Sequence, residues 1–143
     1  MSAFRRRYQE ANFVVTCLQG HTLEQLLGVI DADNPDRGDH HPIVVYLKVS
    51  DFPWQRFFVE FGGGVWEEVE AIDENEEGDG VRFADYASKF GLAGRKIASV
   101  ACLDCKIRIV TDSTGTFSMT SSDNEDAITE VSFDVNLQNT QGI

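Results

Sequence analysis

Apolar and polar positions alternate or run together in short blocks, and each block predicts an element. Phe13-Val14-Val15-Thr16-Cys17 is β-branched and predicts a strand. Thr22-Leu23-Glu24-Gln25 has capping-box spacing, and Leu23, Leu26, Leu27 and Ile30 recur at helical intervals. Residues 23–30 are therefore expected to form a short amphipathic helix. Asp31 to His41 is polar, carries Pro35 and Gly38, and reads as a loop. Ile43 to Val49 is nearly continuous in apolar residues and predicts a central strand covered on both faces.

Asp51-Phe52-Pro53 predicts a turn, and Arg56 to Phe61 a further strand ended by Gly62-Gly63-Gly64. Val65 to Ile72 alternates imperfectly and is compatible with strand or helix. Asn75 to Gly80 reads as an exposed acidic loop. In Val81 to Phe90, Phe83, Tyr86, Ala87 and Phe90 share one helical face, and Gly91 stands where a helix ends. Four strands follow: Lys96–Cys102, Cys105–Thr111, Gly115–Thr120 and Ile128–Val135, closely spaced as in an antiparallel meander. The expected fold is α+β: a mostly antiparallel sheet of five to seven strands with two short helices packed on one face. At 143 residues the chain fits a single domain, 1–143, with frayed termini at about 1–8 and 136–143.

Charge adds the strongest functional clue. The net charge is −12, unevenly spread: +1 over residues 1–30, −11 over 31–81, +4 over 82–111 and −6 over 112–143. Residues 60–79 hold nine carboxylates and no Lys or Arg. Such a segment repels nucleic acid and anionic membranes and attracts basic partners. The absence of an apolar run long enough to span a membrane, the lack of an apolar core after the basic start, and three cysteines at low density together predict a soluble, reduced, cytoplasmic protein.

Candidate chemistry is thin. Cys102-x-x-Cys105, with Cys17 and His21, would make a Cys₃His zinc set, but one such pair without a second at family spacing carries little weight. Asp31-x-Asp33 opens like a calcium loop and then fails, with Pro35 at the fifth position and Pro42 at the twelfth. Asp36, Asp39, His40 and His41 would need a kink to share an ion, because adjacent side chains point apart. Gly-x-Ser-x-Gly is absent, Gly62–Gly64 lacks the Lys and Ser/Thr of a phosphate loop, and Glu67/Glu68 are neighbours that face apart on a strand. No catalytic set, metal or cofactor is expected. The alternative is a small-molecule- or metal-binding α+β domain, or an enzyme, using the His- and Gly-rich loops.

Phe52, Trp54, Phe57, Phe58, Phe61 and Trp66 crowd beside the acidic run. Aromatic anchors within an acidic surround suit a binder of a basic protein. The expected partner-binding residues are Glu67, Glu68, Glu70, Glu74, Glu76 and Glu77, with Trp54 and Trp66 near the centre.

The stretch Tyr86 to Thr120 runs through Leu92-Ala93-Gly94-Arg95-Lys96-Ile97 and Asp112-Ser113-Thr114-Gly115. Over that quarter of the chain it resembles the small acidic α+β immunity proteins of bacterial polymorphic-toxin and contact-dependent inhibition systems. The resemblance implies a non-enzymatic protein that binds and neutralises a cognate toxin, an acidic member often facing a nuclease with a basic cleft.

Overall fold

The computed structural model describes residues 8–31, 33, 38–60, 63–70, 80–112, 115–121 and 129–135. Among the described residues, eleven strands form two antiparallel sheets with very little helix. In chain order the strands are β1 (Tyr8–Ala11), β2 (Phe13–Val14), β3 (Leu23–Asp31), β4 (Val44–Val49), β5 (Trp54–Glu60), β6 (Gly63–Val69), β7 (Val81–Asp85), β8 (Ile97–Leu103), β9 (Lys106–Thr111), β10 (Gly115–Ser121) and β11 (Thr129–Val135). The first sheet runs β1-β6-β5-β4-β3-β7 and the second β11-β10-β9-β8-β2. Their facing sides meet in one apolar core. Leu26, Val45, Leu47, Phe57 and Trp66 come from the first sheet, and Phe13, Val100, Ile107, Ile109, Phe117 and Met119 from the second. This is the sandwich solution to burying two half-apolar sheets. Among the described residues no helix is long and apolar enough to cross a membrane.

The expected helix at 23–30 is instead β3. Its register slips between Leu23 and Gln25. That irregularity puts Leu23 on the same face as Leu26 and Ile30, so three residues at mixed spacing all reach the core. Val29 lies on the opposite face, where it meets Val44 and Tyr46 in a second apolar cluster. Apolar residues on both faces of a bulged strand thus imitate a helical stripe.

The second expected helix divides. Val81–Asp85 is β7, and only Tyr86–Lys89 is helical, a single turn (α1) capped by Asp85, whose carboxylate accepts from the Ser88 N–H. Among the described residues, the expected two short helices on one face are therefore not present. The sole other helical feature among the described residues is a 3₁₀ turn at Thr16–Leu18, which overlaps the end of the stretch 13–17 expected to be a strand. Of residues 65–72, open between strand and helix, 65–69 belong to β6, and 71–72 lie outside the described residues. The four-strand meander from 97 to 135 is present, and β4 is central and buried on both faces.

At one side of the sandwich, α1 plugs the gap between the sheets. Tyr86 stacks on Phe90 and tilts against Phe117, while Phe90 stacks on Phe133 of β11. The Tyr86 ring sits over Gly28 of β3, where a side chain would collide with it.

Candidate functional site

Side chains along β5 and β6 alternate between core and outer face, so cross-strand register decides where each expected interface residue lies. Phe57 is opposite Trp66 and Gln55 opposite Glu68, all inward. Arg56 is opposite Glu67 and Trp54 opposite Val69, on the outer face.

The inward group forms a buried polar network. The Trp66 Nε1–H donates to Gln55 Oε1 at 2.6 Å, and Gln55 Nε2 donates to Glu68 Oε2 at 3.1 Å and to the Pro53 carbonyl at 2.9 Å. Trp66 is 2% exposed and Glu68 3%. Neither is placed to touch a partner, which corrects two of the eight expected interface residues. Burying a carboxylate and an indole N–H demands hydrogen bonds, and Gln55 supplies one to each.

On the outer face, Arg56 pairs with Glu67 at 3.0 Å and its guanidinium lies 4.8 Å from the centroid of the Phe58 ring. Trp54 meets Tyr46 edge-on, with ring centroids 6.2 Å apart. Val29, Val44 and Tyr46 are buried on this face, ringed by half-buried Trp54, Phe58, Val69, Val81 and Phe83. Glu70, at the end of β6, is exposed. Trp54, Glu67 and Glu70 thus remain from the expected set. Glu74, Glu76 and Glu77, like the rest of the acidic loop, lie outside the described residues.

The four zinc candidates are not gathered. The Cys102 side chain points into the core against Gly64, and burial pushes its thiol pKa up. Cys105 is exposed at the β8–β9 turn, and His21 sits edge-on to Phe52 at 4.9 Å. Among the described residues no group of three or more His, Cys, Asp or Glu is arranged to hold a metal ion. Gly63 and Gly64 lie within β6 and form no phosphate loop.

A second arrangement escaped the sequence reading. Residues 38–43 form a strap joining the two sheets at the α1 side. Asp39 pairs with Arg82 of β7, and the Tyr86 hydroxyl donates to the Asp39 carbonyl at 2.6 Å. The next two residues reach β11: the Val131 N–H donates to the His40 carbonyl at 2.8 Å, and His41 Nδ1 lies 3.1 Å from the Thr129 carbonyl. The Arg82 hydrogen bond holds the Asp39 carboxyl below its ordinary range, and burial, reinforced by the Asp39 charge, pushes the Tyr86 phenol well up. The only sequence signal was the density of Asp and His in a nominal loop.

The described residues form an antiparallel β-sandwich. No protein-family model matches the chain, no curated protein matches it in sequence, and no solved structure matches it in fold.

Proposed function

We propose that this chain is a non-enzymatic acidic protein that binds and neutralises a basic protein. A bacterial toxin, such as a nuclease with a basic cleft, is the partner class that the Tyr86–Thr120 resemblance implies. The observation that carries the reading is the half-buried Trp54 on the outer face of β5, opposite the end of β6 where exposed Glu70 leads into the acidic run. A partly exposed indole offers a desolvating anchor, and carboxylates near it steer a cationic partner and fix its orientation. The outer face of β9–β11 is different: Arg108, Ser118 and Ser132 stand side by side across it, without aromatic residues.

The interface on this reading uses Trp54, Glu67 and Glu70 together with Glu74, Glu76 and Glu77. Trp66 and Glu68 act from beneath, holding the register of β5 on β6. The test is capture by the tagged chain, at low salt, of proteins from cells of its source and from cells co-expressing the neighbouring reading frames. A stoichiometric basic partner that elutes as salt rises supports the reading. Glu70→Lys with Glu74→Lys then slows association by about tenfold and flattens its salt dependence. Retention of no basic protein by the wild-type chain overturns the reading.

A further inference from the structure

The acidic-binder reading leaves open how a partner is held, and β11 suggests an answer. This strand is an edge of its sheet, with β10 on one side only. The Val131 N–H and the Thr129 carbonyl point away from β10, since both meet the strap. In an antiparallel ladder the outward-facing groups belong to alternate residues, about 7 Å apart. Phe133 and Val135 therefore also present their N–H and carbonyl groups outward. No described residue bonds these groups.

Among the described residues, the strap occupies the first half of the edge and nothing pairs with the second. Side chains on the outer face of this strand are Glu130, Ser132 and Asp134, all exposed, and Val135 at its end is 62% exposed. Edges of this kind are commonly guarded by Lys or Pro, and β11 has neither. Its two acids do oppose self-association. Antiparallel pairing of two β11 strands centred on Ser132 would set Glu130 of one copy against Asp134 of the other, a like-charge contact. A strand bearing Lys or Arg at the same positions meets attraction instead.

We infer that the open edge of β11 is a strand-addition site, and that its occupant is an extended basic segment of the partner protein. The segment pairs with the outward backbone groups of Phe133 and Val135, and its basic side chains face Asp134 directly and Glu130 on the diagonal. The strap ends where the added strand begins, so His40 sets the start of the register. This rests on the reading of the chain as a binder of basic proteins.

The probe is a capped peptide of about seven residues alternating valine and lysine. A valine–glutamate peptide of equal length is the control. The expected result is saturable amide shifts and slowed hydrogen exchange at Phe133 and Val135, with affinity falling as salt rises. Glu130→Lys with Asp134→Lys weakens binding by about tenfold or more. Val135→Pro is the decisive variant. It deletes an outward N–H that the native ladder does not use, so the fold survives while strand addition fails.

Equal binding by Val135→Pro and wild type, shifts centred on Trp54 and Glu70, or equal binding of the glutamate peptide would each overturn the inference. Failure of the inference is distinguishable from failure of the binder reading. A basic partner retained equally by the wild type and by Glu130→Lys/Asp134→Lys removes only the edge site, whereas no basic partner at all removes the reading beneath it.

Discussion

Replacing Gly28 with alanine puts the packing of α1 to a direct test. A methyl group built on Gly28 would lie 2.5 Å from both Cε2 and the hydroxyl oxygen of Tyr86, and 2.8 Å from Cζ. Ordinary carbon contacts lie near ~3.5–4 Å, so the ring must retreat by about 1 Å. It has little room to do so. Tyr86 is fully buried, with the Phe90 ring 6.0 Å away on one side and Phe117 at 5.1 Å on another. Retreat also draws its hydroxyl off the Asp39 carbonyl.

Overpacking of this kind costs about 1–3 kcal/mol. A lost phenol hydrogen bond adds about 1 kcal/mol. The expected destabilisation of Gly28→Ala is therefore ~2–4 kcal/mol, which lowers the midpoint of thermal unfolding by roughly 7–13 °C for a chain of this length. Calorimetry reads the midpoint, and hydrogen exchange reads whether the Val131 N–H opens as the strap loosens. In a Tyr86→Leu background the same substitution should cost far less, giving a coupling above about 1 kcal/mol. A midpoint within about 2 °C of wild type, or no coupling to Tyr86, refutes the account of Gly28 as the seat of that ring.

Further outcomes follow from the same contacts. Asp104 and Cys105 form the two-residue β8–β9 turn with φ of 55° and 63°, a conformation that penalises a side chain. Cys105→Gly should gain about 1 kcal/mol in urea unfolding, and a loss of stability would contradict that turn geometry. Trp66→Phe removes the indole donor to Gln55 and should cost about 1–3 kcal/mol, so a change under about 0.5 kcal/mol would show that the buried network contributes little. The folded chain holds the Tyr86 proton more tightly than the unfolded chain. That contribution is complete below the ordinary phenol value of ~10 and is lost as pH rises towards the folded value. Above about pH 10, wild type should lose stability more steeply than Tyr86→Phe, and parallel slopes would refute the assignment.

The misplaced elements share a physical cause. At 23–30 the capping-box spacing and the Leu23, Leu26, Leu27, Ile30 intervals describe a helix well. The chain instead satisfies them with a bulged strand whose two faces are both apolar, because the first sheet carries apolar clusters on both sides. Helix propensity is a weak preference beside the burial available between sheets. At Val81–Phe90 the helical signal is real for one turn only, since the first five residues gain a ladder on β3.

Within the expected interface, sequence identified the acidic run and its aromatic neighbours, and one parity step separated outcomes. Trp66 and Glu68 face Phe57 and Gln55, while Glu67 and Val69 face Arg56 and Trp54. No composition argument distinguishes Glu67 from Glu68. Only the pairing of β6 on β5 does, because a shift of one residue exchanges every side chain between core and surface.

The amino-acid sequence by itself determined the local, short-range features. It specified the antiparallel meander from β8 to β11, a buried central β4, the placement of charge, and the want of any strong catalytic or metal motif. Each follows from alternation, turn residues or composition within a few positions. Tertiary structure alone decided that the strands divide into two facing sheets, which carboxylates are solvated and which buried, and that a strap from the first sheet meets an edge strand of the second. Val131 and His40 are distant in the chain, and their hydrogen bond exists only because the packed core brings the two sheets together. Long-range pairing of this kind depends on which apolar faces bury each other best, a property of the whole molecule rather than of any segment.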